Sequence, residues 1–222
     1  MKIAEFDSEK RFFYENGYYL TSDKTRIPKL LAHYELYKMV LDLPGHIVEC
    51  GVFKGASFMQ WVTFREAFEH PFSRKVIGFD IFGPFPETEF EADESKRQFF
   101  IDETGGGVGL SVDEIEASLK FKGISNCELI KGDITRTVPD YMKAHPELKI
   151  SLLHIDTDIY EPAVTILENM YNSIVRGGIL VLDDYGIFPG ETKAVDDFFA
   201  DKDVVINKLP FSHQIPAYIV KK

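Results

Sequence analysis

The 222-residue chain is predicted to be a doubly wound α/β protein with a mostly parallel sheet. A strand pattern at 46–50, a glycine turn, a helical stretch through Phe68 and a strand pattern at 75–80 form a βαβ unit. Such a unit implies parallel strands joined by a right-handed crossover. Two more apolar runs, at 150–155 and 178–182, end abruptly in carboxylates. Runs of this kind are typical of buried parallel strands that reach the edge of their sheet.

The remaining elements are predicted from periodicity and from helix-breaking residues. Apolar residues at helical spacing indicate a helix over 27–43, with Pro28 suited to its first turn. A helix over 161–175 is expected to end at Gly177 and Gly178. The other predicted elements are a strand at 127–130, helices at 138–144 and 192–199, and two final, antiparallel strands at 204–206 and 217–220.

We expect one domain over residues 1–222, with two distinctive segments. Residues 1–26 are polar but rich in aromatic side chains, which favours packing on the domain or on a second subunit, as in a homodimer; the alternative is a flap over a substrate pocket. Residues 81–122 interrupt the strand–helix alternation, and we interpret them as a lid. Within them, Ser111 and Glu114 have the spacing of a capping box.

The composition excludes several classes of function. The formal net charge is −11 and no run of Lys or Arg occurs, which disfavours nucleic acids and anionic membranes as partners. Cys50 and Cys127 form no metal or redox motif. No apolar stretch has the length of a signal peptide or a membrane span, so a cytoplasmic location is expected.

Two acidic clusters carry the strongest functional signal. Asp156 and Asp158 follow one apolar run, and Asp183 and Asp184 follow the other. Ligands of open α/β sheets bind beyond the carboxyl ends of the strands, so neighbouring strands would bring four carboxylates into one crevice. Such charges need a cation or protons among them, and oxygen ligands favour Mg²⁺, Mn²⁺ or Ca²⁺. The alternative is that these acids cap helices or pair with Lys and Arg.

The first strand carries a cofactor signal. Glu49 precedes two glycines, Gly51 and Gly55, whose spacing differs from that of a dinucleotide fingerprint. An acid at this strand end suits a cationic ligand such as S-adenosylmethionine, which has a sulfonium, an ammonium and no phosphate. Asp80 is placed for ribose hydroxyls and Asp133 for the adenine or ribose edge. The set favours S-adenosylmethionine over a nicotinamide cofactor.

Four segments, at 48–57, 78–82, 154–162 and 177–186, resemble the macrocin O-methyltransferase family. The resemblance extends from about Thr25 onward. It implies a class I methyltransferase fold, Rossmann-like, with a seven-stranded sheet and an antiparallel C-terminal strand. It also implies a metal-dependent transferase that methylates sugars, often the deoxysugars of antibiotics.

The candidate roles follow from the motifs and the strand ends. Asp156, Asp183 and Asp184 are assigned to Mg²⁺ or Mn²⁺ and Asp158 to the general base, although Asp156 and Asp158 could exchange roles. Asp183 and Asp184 can share an ion only if the chain turns there, because side chains alternate along a strand. Candidate cofactor contacts are Glu49, Gly51, Lys54, Gly55, Ser57, Asp80, Asp133 and Asp156. Candidate substrate contacts are Tyr160, Tyr185, His213 and Gln214.

The leading hypothesis is a metal- and S-adenosylmethionine-dependent O-methyltransferase that acts on a deoxysugar glycoside or a nucleotide-activated sugar. A catechol or other vicinal diol is an alternative acceptor, since two adjacent oxygens would chelate the same ion. Paired aspartates also hold Mg²⁺ in phosphoryl-transfer and hydrolytic enzymes. A binding protein that keeps the fold without turnover is a further alternative.

Overall fold

A computed structural model of the chain describes residues 1–212 and 215–222. Within them, the strands are β1 (Lys2–Ile3), β2 (Phe6–Asp7), β3 (His46–Cys50), β4 (Val76–Asp80), β5 (Cys127–Lys131), β6 (Ile150–Ile155), β7 (Ile174–Leu182), β8 (Asn207–Lys208) and β9 (Ala217–Val220). The α-helices are α1 (Arg11–Thr21), α2 (Arg26–Lys38), α3 (Ala56–Phe68), α4 (Glu94–Glu103), α5 (Val112–Lys122), α6 (Ile134–Ala144), α7 (Tyr160–Met170) and α8 (Pro189–Phe199). None of these helices is both long and apolar enough to cross a membrane.

The central sheet has seven strands in the order β5-β4-β3-β6-β7-β9-β8. The first five strands of this order are parallel, whereas β9 runs antiparallel to β7 and β8 antiparallel to β9. The predicted fold class, a mostly parallel sheet with an antiparallel end, is therefore confirmed. The order reverses between β3 and β6, which makes this edge the expected ligand-binding crevice.

Both faces of the sheet are covered by helices. Val48 of β3 packs into a core shared with α6, α7 and α8, while Ile47 packs into a second core shared with α2, α3 and α5. This division follows from the alternation of side chains along a strand. Because helices cover both faces, every residue of β3 and β6 except the half-buried His46 is buried.

The predicted end of the helix before β7 is wrong. Helix α7 ends at Met170, and Gly177 and Gly178 lie inside β7. Ile150 of β6 pairs with Ile174, but the pairing resumes only at Leu152 with Ile179, so the intervening part of β7 bulges out. A Cβ at Gly178 would lie 2.9 Å from the carbonyl oxygen of Ser151. Gly178 therefore serves this close approach instead of a helix cap.

Other predicted elements also differ in detail. The strand predicted at 204–206 lies instead at Asn207–Lys208, as β8. Helix α2 buries Ala32, His33, Leu36 and Tyr37, whereas Ile27 and Leu31 of the predicted apolar stripe are 40% and 47% exposed. Helix α1 buries no residue, so its aromatic side chains do not pack into the core.

The segment 81–122 contains α4 and α5, and the predicted capping box at Ser111 is confirmed. Two acids tie this segment to the helices that follow the acidic clusters. Buried Asp93 accepts hydrogen bonds from the backbone N–H of Tyr160 (3.0 Å) and of Gly190 (2.7 Å), at the starts of α7 and α8. Glu161 accepts hydrogen bonds from the backbone N–H groups of Glu89 and Phe90.

We expect Asp93→Asn to lower the free energy of unfolding by about 1–3 kcal/mol, because one of the two buried N–H groups loses its acceptor. Limited proteolysis should then cut the segment 81–122 faster. Urea denaturation and a protease time course measure both effects. The control is Glu94→Gln, a change at an exposed neighbour, which should leave both unchanged. Equal behaviour of the two variants would show that Asp93 does not fasten the segment.

Candidate active site at the carboxyl edge of the sheet

A cavity of about 450 Å³ opens at the carboxyl ends of β3, β4, β5 and β6. Part of its lining consists of residues at or just beyond the ends of these strands, and another part comes from the segment 81–122. The strand-end residues are Gly51, Asp80, Asp133, Asp156 and Asp158, and the residues from that segment include Phe85, Thr88, Phe100 and Gly107. A cavity of this size, mostly apolar with a few polar groups, is typical of a small-molecule site.

Asp80 organises the turn that follows β3. Its Oδ2 atom accepts hydrogen bonds from the backbone N–H of Val52 (2.8 Å) and of Phe53 (2.9 Å), and its Oδ1 accepts one from Phe82 (2.5 Å). Burial raises the pKa of Asp80, and these backbone hydrogen bonds oppose the shift. The predicted ribose contact therefore lies on the cavity wall, and it also fixes the backbone beside the cavity.

Gly51 allows the ends of β3 and β6 to approach closely. Its φ is +96°, and a Cβ built there would lie 1.8 Å from the carbonyl oxygen of Asp156. The backbone N–H of Asp156 donates to the carbonyl oxygen of Cys50 at 2.9 Å. A side chain at position 51 would force these two strand ends apart and displace Asp156.

The other predicted cofactor contacts divide into two groups. Asp133 lines the cavity and caps α6 by accepting a hydrogen bond from the backbone N–H of Thr135. Among the described residues, the cavity lining does not include Glu49, Lys54, Gly55 or Ser57. Glu49 is a buried acid beside His154, and Lys54 donates to the carbonyl oxygen of Thr104. Gly55 precedes the first residue of α3, and Ser57 is buried within that helix.

Three carboxylates converge beside the cavity. Asp156, Asp158 and Asp184 each place an oxygen within 4.8 Å of the other two. Burial and the charge of Asp183 raise the pKa of Asp156 to about 7. Burial, together with neighbouring carboxylates, raises the pKa of Asp158 and of Asp184 well above the usual range.

This carboxylate cluster, Asp156, Asp158 and Asp184, is short of positive charge. Among the described residues, buried Asp184 Oδ2 and Glu191 Oε2 have no hydrogen-bond partner. Glu191 is fully buried, and its other oxygen accepts from the backbone N–H of Asp184 at 3.0 Å. Unpaired buried oxygens and raised pKa values mark a site that a cation would stabilise. Hard oxygen donors of this kind fit Mg²⁺ or Mn²⁺.

Asp183 belongs to a different group, although the sequence places it next to Asp184. Its Oδ2 accepts from Lys29 Nζ at 2.5 Å, and its Oδ1 lies 3.4 Å from His154 Nε2. Burial would raise the pKa of Asp183, but the Lys29 ammonium and His154 hold it well below the usual range. Of the predicted ligands, Asp156 and Asp184 lie together with Asp158, while Asp183 lies in a neighbouring group with His33 and His154.

His154 joins Asp183 to the predicted cofactor acid Glu49. Its Nδ1 lies 3.0 Å from Glu49 Oε1 and 3.3 Å from the indole nitrogen of Trp61. Burial lowers the pKa of His154, but the hydrogen bonds to Asp183 and Glu49 outweigh it and raise the pKa to about 10. His154, in the middle of the apolar run of β6, is thus a hydrogen-bonded core residue that links Glu49 of β3 to Asp183 beyond β7.

The predicted substrate residues are not all placed at the cavity. The hydroxyl of Tyr160 donates to Asp197 at 3.3 Å and that of Tyr185 donates to Asp196 at 2.8 Å, so both hydroxyls face α8. His213 and Gln214 lie outside the described residues.

Sequence reasoning missed Lys29, Glu191 and Asp93. Lys29 lies three and four positions before the buried residues Ala32 and His33, on the face that α2 turns toward the core. A lysine among buried positions at helical spacing is a signal, but the predicted apolar positions of α2 include Ile27 and Leu31, which the structure leaves exposed.

The sheet order, the antiparallel end and the cavity at the switch point define a class I methyltransferase fold. The chain belongs to the macrocin O-methyltransferase (TylF) family, whose sequence profile matches residues 21–209.

Relatives and solved structures agree with this assignment. The calicheamicin methyltransferase CalS11 has a crystal structure that superposes with a TM-score of 0.73 at 27% identity, covering 97% of this chain and 86% of that one. The O-methyltransferase NovP shares the fold with a TM-score of 0.74 at 22% identity, covering 88% of this chain and 80% of that one.

Two curated relatives come from Streptomyces. A rhamnosyl-tetracenomycin-C 4'-O-methyltransferase of Streptomyces olivaceus is 26% identical over 65% of this chain and 54% of its own length. The demethyldecarbamoylnovobiocin O-methyltransferase of Streptomyces niveus is 25% identical over 73% of this chain and 61% of its own length. The chain therefore spans between half and two thirds of the length of these relatives.

We expect Gly51→Ala to lower the free energy of unfolding by about 2–5 kcal/mol, because alanine is strained at positive φ and overpacks the contact with Asp156. Urea denaturation measures this loss. Gly17→Ala in α1 is the control, since no atom lies within 4 Å of the new methyl group, and it should be neutral or stabilising by up to about 1 kcal/mol. An unchanged free energy of unfolding in Gly51→Ala would mean that the close approach of β3 and β6 is not required for stability.

Proposed function

We propose that this chain is an S-adenosylmethionine-dependent O-methyltransferase that uses a divalent ion to methylate a sugar hydroxyl. The observation that carries the proposal is the carboxylate cluster Asp156, Asp158 and Asp184, which borders a ligand-sized cavity at the switch point of the sheet. Family membership supports the methyl-transfer chemistry.

The cavity suits a cationic methyl donor. Asp80, Asp133 and Asp156 offer carboxylates along its floor for hydroxyl, ammonium or sulfonium groups. Phe85 and Phe53, which also line the cavity, each pack against Phe100 with ring centroids 5.1 Å apart, which gives an apolar aromatic surface for an adenine or a sugar ring. Phe85 and Phe100 belong to the segment 81–122, which would act as the lid over the cavity.

Asp156 and Asp184 would hold the divalent ion, since they belong both to the predicted ligand set and to the carboxylate cluster. The ion would act as a Lewis acid that lowers the pKa of the acceptor hydroxyl. Glu191 stabilises the loop that carries Asp184 by accepting its backbone N–H.

Asp158 would remove the proton from the acceptor hydroxyl. It lines the cavity, whereas Asp184 does not, so its carboxylate faces the side from which a substrate enters. Its φ of +63° is unusual for an aspartate, and strained backbone of this kind clusters at functional sites. Positive charge at the neighbouring acids would lower the raised pKa of Asp158 and keep the carboxylate ionised, which is the form that can accept a proton.

A sugar acceptor is supported by the names of the relatives. A solved structure 27% identical to this chain is described as a TDP-rhamnose 3'-O-methyltransferase, and the Streptomyces olivaceus relative acts on a rhamnosyl group. We therefore propose a deoxysugar, either nucleotide-activated or in a glycoside, as the acceptor.

Calorimetry with S-adenosylmethionine and S-adenosylhomocysteine, with and without Mg²⁺, tests the proposal. Both ligands should bind, and exhaustive chelation should abolish methylation of TDP-rhamnose or a rhamnoside while leaving S-adenosylhomocysteine affinity nearly unchanged. If neither ligand binds, the proposed methyl transfer is contradicted. Full activity after chelation would remove the metal ion from the proposed mechanism. Methylation of catechols but not of sugars would favour a vicinal diol.

Asp158→Asn should reduce kcat by about 10²–10⁴-fold, the usual contribution of a positioned base, with unchanged S-adenosylhomocysteine affinity. Steady-state kinetics and calorimetry measure the two quantities. Asp140→Asn, at an exposed position of α6, should match the unmodified protein in both. A fully active Asp158→Asn variant would show that another group removes the proton.

A further inference from the structure

A loop over residues 83–109 closes on itself at its base. Pro84 and Val108 form an isolated antiparallel bridge. Beside this bridge the backbone N–H of Phe85 donates to the carbonyl oxygen of Gly107 at 2.8 Å. Main-chain hydrogen bonds thus fix the base of the loop, whereas its far end needs contacts with the rest of the domain to stay in place.

One carboxylate of α7 fastens the loop tip, residues 88–90. Glu161 Oε1 accepts hydrogen bonds from the backbone N–H of Glu89 (2.8 Å) and of Phe90 (3.1 Å). Its Oε2 accepts a hydrogen bond from the hydroxyl of Thr88 at 3.0 Å. Hydrogen bonds to a carboxylate are roughly twice as strong as those between neutral groups, so Glu161 holds three consecutive residues with a single side chain.

The Glu161 contacts differ from the neighbouring contacts of Asp93. Asp93 is fully buried, so it anchors the loop permanently to the starts of α7 and α8. Glu161 is only partly buried, and it lines the cavity together with Thr88 and Glu89. The Glu161 contacts can therefore break, and open the cavity wall between the loop tip and α7, while Asp93 stays in place.

A molecule in the cavity is enclosed by this loop. Phe85 and Phe100 of the loop line the same cavity as Asp80 and Asp156 at the strand ends. A methyl donor bound there must be exchanged after each transfer, and in many enzymes the opening of such a loop or the release of product limits turnover. The contacts that keep the loop tip closed thus bear on the rate of exchange.

We propose that Glu161 is the latch of the loop 83–109, which holds the loop tip closed and sets the rate at which S-adenosylhomocysteine leaves the cavity. The inference rests on the proposed function, since it assumes that the cavity takes the methyl donor. Glu161 acts through the loop and is therefore a positioning residue. Without its carboxylate, water takes over the exposed N–H of Glu89 and the tip opens more often.

The test is surface plasmon resonance of S-adenosylhomocysteine on the full-length protein, which measures the dissociation rate constant. Glu161→Ala removes all three contacts and should raise this constant about 10–100-fold, because hydrogen bonds to a charged group are lost. Glu161→Gln keeps a carbonyl oxygen for the two backbone N–H groups and should restore most of the slow release. Glu168→Ala, at an exposed position of the same helix, should match the unmodified protein.

Hydrogen exchange distinguishes a latch from a residue that only stabilises the fold. In Glu161→Ala the backbone amides of the loop tip should exchange faster, while those at the bridged base should keep their protection. Circular dichroism identifies a variant that has not folded. Thr88→Val, which removes one contact from the side of the loop, then replaces Glu161→Ala and should raise the dissociation rate constant by a smaller factor.

The outcomes separate this inference from the proposed function. Equal dissociation rate constants in the unmodified protein and in folded Glu161→Ala would overturn the latch while leaving methyl transfer intact. Faster exchange of the loop tip with unchanged release of S-adenosylhomocysteine would reduce Glu161 to a stabilising residue and would also overturn the latch. Absence of S-adenosylhomocysteine binding in every variant and in the unmodified protein would overturn both proposals.

Discussion

The structure depends on how it neutralises buried carboxylates at the ends of β6 and β7. Asp156, Asp158, Asp183 and Asp184 lie at this edge, and Glu191 lies behind them without exposure to solvent. A buried charge without a partner is very costly, so protons or cations must compensate these acids. At Asp183 the compensation is built in, through Lys29 and His154. At the carboxylate cluster Lys29 supplies part of the compensation, and the rest has to come from protons or from an exchangeable ion.

The other acids of the site serve the backbone. Asp80 accepts three backbone hydrogen bonds around the turn after β3, and Asp93 accepts two at the starts of α7 and α8. These contacts place the loops that carry the carboxylate cluster and hold the segment 81–122 against them. Asp80 and Asp93 thus fasten the chain, whereas the three acids of the carboxylate cluster are the ones proposed to hold an ion and to remove a proton.

The sequence predicts the sheet because its signals are local. Long apolar runs with sharp acidic ends identify β6 and β7, and the glycine turn after β3 identifies the βαβ unit. The same signals place Asp80, Asp133, Asp156 and Asp158 at one edge, where the structure finds a cavity.

The pairing of charges was not predictable, because it depends on long-range packing. Asp183 and Asp184 differ only by which side of the β7 end they face, and Lys29 meets Asp183 through the docking of α2. The glycines at 177 and 178 misled the prediction of the end of α7 for a related reason, since Gly178 is required by its close approach to the neighbouring strand β6.

The most direct test of the central claim is anomalous diffraction from crystals grown with Mn²⁺ and S-adenosylhomocysteine. We predict one manganese peak within about 2–2.5 Å of carboxylate oxygens of Asp156 and Asp184, with Asp158 beside it and Lys29 still on Asp183. A crystal without manganese at this edge, or with the ion at the position of the Lys29 ammonium, would contradict the account.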